Sequence, residues 1–153
     1  MVEETILQIE ANIDNMNPEL YSYIIEELLN LGAQDAWLVP IIMKKGRPAV
    51  TLFVLCKESL FKIIERFLFT HTTTIGFRYF PVNRKVLERS FDTISYEGHI
   101  IHIKTSYYNE QCVNQTLEYE DLLTASKALN KPVKWLEKEI WAKYNLKNTI
   151  YCE

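Results

Sequence analysis

Leu7, Ile9, Ala11 and Ile13 alternate with Gln8, Glu10, Asn12 and Asp14. A period of two predicts a strand with one buried face and puts Glu10, Asn12 and Asp14 together on the other. Asn17-Pro18-Glu19 then marks a helix start: Asn17 as N-cap, Pro18 at the first helical position, Glu19 beside the positive end of the dipole. Leu20, Tyr23, Ile24, Leu28 and Leu31 follow at helical spacing, and Gly32 supplies the C-terminal cap. Ala36–Met43 and Ala49–Leu55 read as two strands of a hairpin turned by Lys44-Lys45-Gly46-Arg47-Pro48. A helix is predicted over Glu58–Phe69 with Leu60, Ile63, Ile64, Phe67 and Leu68 inward, and a strand over Gly76–Val82.

The order β-α-β-β-α-β is that of a ferredoxin-like split βαβ sheet. Lys85–Tyr107 reads as a long hairpin turned at Glu97-Gly98, and Cys112–Leu117 as a connector or short strand. Tyr119–Leu129 and Pro132–Tyr144 form a helical pair broken at Asn130-Lys131-Pro132. The predicted class is α+β: a ferredoxin-like core over residues 1–84, a hairpin extension over 85–117 and a helical region over 118–153, in one compact domain overall. The hairpin carries Val86, Leu87, Phe91, Ile94, Tyr96, Ile100, Ile101, Ile103 and Tyr107, enough apolar surface to predict a subunit interface and a homo-oligomer.

The length of 153 residues and a 48% hydrophobic, 24% charged composition exclude a disordered or low-complexity chain. Cys56, Cys112 and Cys152 are an odd number without CxxC or Cys/His spacing, which argues against a disulfide framework or a zinc site and fits a reducing cytosol. Ala36–Met43 is the longest near-apolar stretch, far short of the roughly 20 residues that span a bilayer. The expectation is a soluble cytoplasmic protein that uses no membrane.

Charge sharpens this picture. Residues 1–39 hold eight acids and no Lys or Arg, whereas residues 40–90 hold ten bases against three acids. A basic block inside a chain of net charge −3 points to a local anionic ligand rather than to a nucleic-acid track. Lys44, Lys45 and Arg47 flank Gly46 in the hairpin turn: point charges, a bidentate fork and a glycine that admits close approach suit phosphate. Thr72-Thr73-Thr74-Ile75-Gly76-Phe77-Arg78 offers three hydroxyls, Gly76 and Arg78 as an oxyanion loop. Glu10, Asn12 and Asp14 are hard oxygen ligands suited to magnesium or manganese. Spacing alone fits a solvated hairpin tip as well as a phosphate site, and favours hydroxyls that cap backbone and a solvated sheet face for the other two segments. Taken together, the three segments describe a site for a metal–nucleoside triphosphate. His71, His99 and His102 are scattered, and no Ser or Cys has a base at hand. Trp37, Trp135 and Trp141 read as core or interface, with stacking on a base open to one of them.

These segments also carry a resemblance. Glu10-Ala11-Asn12-Ile13-Asp14-Asn15-Met16, Gly32-Ala33-Gln34-Asp35-Ala36-Trp37, Met43-Lys44-Lys45-Gly46-Arg47-Pro48, Val54-Leu55-Cys56, Thr72-Thr73-Thr74-Ile75-Gly76-Phe77-Arg78 and Glu118-Tyr119-Glu120-Asp121 together resemble, in order and spacing, the C-terminal domain of LarC-type nickel insertion proteins. The resemblance implies a CTP-dependent nickel chelatase that metallates pyridinium bisthiocarboxylate mononucleotide to give the nickel-pincer nucleotide cofactor of lactate racemase. It implies CTP with Mg or Mn in this domain, nickel handled by the family's N-terminal half as a partner, and a trimer rather than a dimer. Asn15 stands where the family often has Asp, which leaves Asp14 as the leading metal carboxylate. Without the resemblance, the residues also fit a non-catalytic ferredoxin-like regulatory domain that senses a small anion.

Overall fold

The computed structural model describes residues 5–148, which fall into two compact units that divide between Arg84 and Lys85. Cys152 lies outside the described residues. No helix among the described residues is long and apolar enough to cross a membrane.

The first unit runs β1 (Ile6–Ile13), α1 (Leu20–Asn30), β2 (Asp35–Met43), β3 (Arg47–Lys57), α2 (Phe61–His71) and β4 (Arg78–Val82). Its sheet has the order β2-β3-β1-β4, so β3 lies between β1 and β2 and β1 between β3 and β4. That interleaving is the split βαβ arrangement read from the chain. Leu7, Ile9, Ala11 and Ile13 point to one side and are buried, with Leu52, Val54 and Cys56 beside them on β3. Ile24 and Leu28 of α1 and Ile64, Phe67 and Leu68 of α2 close the same core. Helices therefore cover one face of the sheet, and Gln8, Glu10 and Asn12 belong to the other.

Helix faces depart from expectation. α1 buries Tyr21, Ile24 and Leu28, while Leu20 and Tyr23 are about half exposed, so the buried stripe lies to one side of the predicted one. Asn17 does open the helix: its side-chain oxygen accepts the Glu19 N–H at 3.1 Å and its carbonyl the Leu20 N–H at 3.1 Å. That first turn is tight, and regular α-helix begins only at Leu20. At the far end Gly32 takes φ +100, and the Ala33 N–H reaches back to the Leu28 carbonyl at 3.0 Å, a left-handed cap that L side chains resist. In α2, Ile63 faces outward, and a 3₁₀ turn over Glu58–Leu60 precedes the helix.

The second unit is a meander of β5 (Glu88–Tyr96), β6 (His99–Tyr108) and β7 (Gln111–Leu117), followed by α3 (Tyr119–Leu129) and α4 (Val133–Asn148). Glu97-Gly98 turns the first hairpin and Asn109-Glu110 the second, all four at positive φ, the backbone that matches strand twist across a two-residue turn. The 112–117 segment is thus a paired edge strand and not a connector. Ile94, Tyr96, Ile101 and Ile103 are buried against Leu122, Ala125, Leu136 and Ile140. Four of the nine apolar hairpin residues, Ile94, Tyr96, Ile101 and Ile103, are thus covered by α3 and α4 of the same chain, while Val86, Leu87, Phe91 and Ile100 stay exposed.

Candidate functional site

The topology of the first unit brings the three candidate segments to one end of its sheet. β1 ends at Ile13, and the β2–β3 turn lies at that same end because Ile13 pairs with Val50. β4 runs antiparallel to β1 and starts with Arg78 opposite Glu10, so the threonine loop that precedes β4 lies there too.

Side chains tie the segments together. Arg47 Nη1 lies 3.3 Å from Asp14 Oδ2, and Arg78 Nε lies 2.6 Å from Glu10 Oε2. The Thr51 hydroxyl donates to Asn12 Oδ1 at 2.8 Å, and the Thr73 hydroxyl to Asn15 Oδ1 at 2.7 Å. Both arginines are more than half exposed while their carboxylates are more sheltered, at 23% for Asp14 and 13% for Glu10. Glu10 stands on the sheet and Asp14 just past the end of β1, and solvent reaches each arginine.

The predicted residues divide by what they do. Lys44 and Lys45 form no ion pair among the described residues. They stand on a turn in which Lys45 and Gly46 take φ 62 and 69, and a Cβ added at Gly46 would meet nothing within 4 Å. Thr72 caps α2 by donating to the Leu68 carbonyl at 2.7 Å, and Thr74 donates to the Gly76 carbonyl at 2.7 Å. Their hydroxyls are committed to backbone, which leaves Thr73, over Asn15, as the loop hydroxyl turned toward β1. Gly76 has ordinary backbone with open space around it.

Glu10 and Asn12 alternate along β1, about 7 Å apart, whereas Asp14 lies one residue past the end of the strand and not on the strand face expected for it. Among the described residues no three His, Cys, Asp or Glu side chains converge on a metal position. The donor set still fits a hard divalent ion that takes one or two carboxylates and completes its shell with phosphate oxygens and water, as magnesium does. A protein-only cage is not what these residues build.

Two participants escaped the sequence reading. Thr51 is buried at 4% exposure and holds Asn12, and Phe53 stacks on Trp37 with centroids 5.1 Å apart and planes 6° apart. Both depend on strand register, for which the chain shows no local signal.

The second unit has its own polar contacts. Asp121 Oδ2 accepts the His102 backbone N–H at 2.8 Å and lies 2.8 Å from His102 Nδ1. The backbone donor, followed by the ring, holds the Asp121 carboxyl below the usual range against the opposing effect of burial. Glu139 is lowered chiefly by the Tyr96 hydroxyl that donates to it and next by Lys131, whose ammonium lies 3.1 Å away. The same contact raises Tyr96. These groups pin the hairpin to the helices and lie in the other unit from the candidate site.

Fold and site define an α+β domain with a one-sided sheet that gathers arginines, lysines and carboxylates at one end. A family model for nickel insertion proteins matches residues 1–137, and the chain belongs to that family. It is 39% identical over 140 residues, 92% of its length, to a pyridinium-3,5-bisthiocarboxylic acid mononucleotide nickel insertion protein of Clostridium kluyveri, and 40% identical over 118 residues to that of Staphylococcus saprophyticus. These alignments take in 35% and 30% of the relatives, so the chain spans about a third of the length of the curated relatives it matches. Among solved structures it is similar to the apo C-terminal domain of a cyclometallase involved in the synthesis of the NPN cofactor of lactate racemase, with TM-score 0.83, 29% identity and 91% and 96% of the two chains covered. A Methanopyrus kandleri protein, TM-score 0.63 and 17% identical, shares the fold.

Proposed function

We propose that this chain binds CTP together with Mg or Mn and acts as the C-terminal domain of a cytoplasmic nickel chelatase that metallates pyridinium bisthiocarboxylate mononucleotide. Nickel is the cargo, and the further two thirds of the relatives' length is where its ligands are sought. The observation that carries the reading is the convergence of Lys44, Lys45, Arg47 and Arg78 with Asp14 and Glu10 at one end of one sheet. Cations for a polyphosphate and carboxylates for its counter-ion are the two halves of a metal–nucleotide site. The lysines and arginines take phosphate oxygens, with Thr73 as a neighbouring donor. Asp14, with Glu10 or Asn12, takes the ion that neutralises the phosphates.

Isothermal titration of CTP, UTP, ATP and GTP, each with and without Mg²⁺, tests this. CTP with metal should bind tightest. Equal affinity for all four nucleotides, or binding of none, overturns the assignment.

A further inference from the structure

The register of the first sheet lines up a complete row across its four strands. Arg78 pairs with Glu10, Glu10 with Phe53, and Phe53 with Trp37. Direct cross-strand partners share a face, and this is the face opposite α1 and α2. The row therefore reads cation, carboxylate, aromatic, aromatic from β4 to β2. Trp37 and Phe53 are half-buried, and neither belongs to the core under the helices. Their rings stack on one another, and among the described residues Trp37 meets no second ring. Three strand spacings separate the ends, about 14 Å, a span that a nucleotide covers between its ring and its outer phosphates.

We propose that Trp37, backed by Phe53, is a stacking seat for the heteroaromatic ring of a nucleotide whose phosphates reach Arg78. This rests on the function proposed above and adds the part of the site that holds the ring. The chemistry follows from the row. An aromatic face accepts any planar base and attracts a cationic ring further, while the arginine end accepts only the anionic end of the ligand. One orientation of the nucleotide satisfies both. Two rings have this chemistry, the cytosine of CTP and the pyridinium of the mononucleotide substrate, and the same experiment separates them.

The full chain carrying Trp135→Phe and Trp141→Phe keeps Trp37 as its sole indole. Its emission is titrated with CTP plus Mg²⁺ and with nicotinic acid mononucleotide as a pyridinium probe, beside calorimetry on the unaltered chain. Quenching that saturates with the calorimetric isotherm is expected; quenching by CTP alone assigns the seat to cytosine, and by the pyridinium alone to the substrate. Trp37→Leu should weaken binding of the quenching ligand roughly fivefold to a hundredfold while keeping the melting temperature, and Trp37→Phe should restore most of it. Calorimetric binding with unchanged Trp37 emission and unchanged Trp37→Leu affinity overturns the seat and leaves the function reading standing. Absence of calorimetric binding of every probe overturns that reading, and the seat with it.

Discussion

Asp14 and Glu10 hold Arg47 and Arg78, so on the proposed function a nucleotide and its metal each confront a group already engaged. Phosphate must draw Arg47 off a carboxylate and then lie beside that carboxylate's charge. A divalent ion on Asp14 removes both obstacles at once. Asp14→Asn tests this coupling because it should change metal-free and metal-bound nucleotide affinity in opposite directions. The pair lies 3.3 Å apart with Arg47 58% exposed, so its loss should cost the fold no more than about 1 kcal/mol. Two like charges at 4 Å repel by about 1 kcal/mol in water and about 4 at an effective dielectric of 20. For this partly sheltered site about 1–2 kcal/mol is reasonable, so Asp14→Asn should bind metal-free CTP about five- to thirtyfold more tightly. With Mg²⁺ the same variant lacks the ion ligand proposed above and should bind more weakly than the unaltered chain. Titration calorimetry in EDTA and in Mg²⁺, on both proteins, measures all four affinities. If Asp14→Asn weakens metal-free binding, or leaves both conditions unchanged, the arginine–carboxylate exchange is wrong.

Three further outcomes are expected. On the proposed function Arg47→Ala takes away a charge-assisted phosphate contact and should cost about 1.5–3 kcal/mol in nucleotide affinity, read by calorimetry; Arg47→Lys should recover only part because a point charge does not replace a fork, and an Arg47→Ala chain that binds normally makes the turn a solvated tip. Gly32→Ala puts a Cβ at φ +100 and 3.1 Å from Leu60 Cδ1, so it should destabilise by at least about 1–2 kcal/mol in urea titration, and no loss would contradict the cap geometry. Asp121 is held below its ordinary value by the His102 backbone N–H, so its contribution is present above the ordinary aspartate range and is lost as pH falls through the lowered folded value; stability measured from pH 7 to 3 should fall below about pH 4, less steeply in Asp121→Asn, with the remaining slope owed in part to Glu139, which is lowered in the same sense. An equal slope in Asp121→Asn refutes that assignment.

What could be read along the chain and what could not separate by the distance over which each feature is determined. The β1 alternation is local: four apolar residues at period two meet one core, and the structure buries all four. The face of α1 was misplaced because Leu20 and Tyr23 keep helical spacing as well as Tyr21 does, and only the position of β1 beneath the helix decides between them. β7 was faint because Gln111–Leu117 is a polar edge strand, held by pairing to β6 rather than by a buried face. The burial of Ile94, Tyr96, Ile101 and Ile103 is not legible in the hairpin itself because its cover, from Leu122 to Ile140, comes later in the chain. The site obeys the same rule. Residue types and loop positions were legible, since three cations in a turn and three threonines after a helix are local facts. Their pairings were not: Arg47 meets Asp14 across 33 positions, Thr73 meets Asn15 across 58 and Arg78 meets Glu10 across 68. The row from Arg78 to Trp37 is the extreme case, because a one-residue slip of any strand would turn its side chain to the helix side. That sensitivity gives the row diagnostic value, since a register that buries Ile9 and Val54 under the helices necessarily sets Glu10 beside Phe53 on the open face.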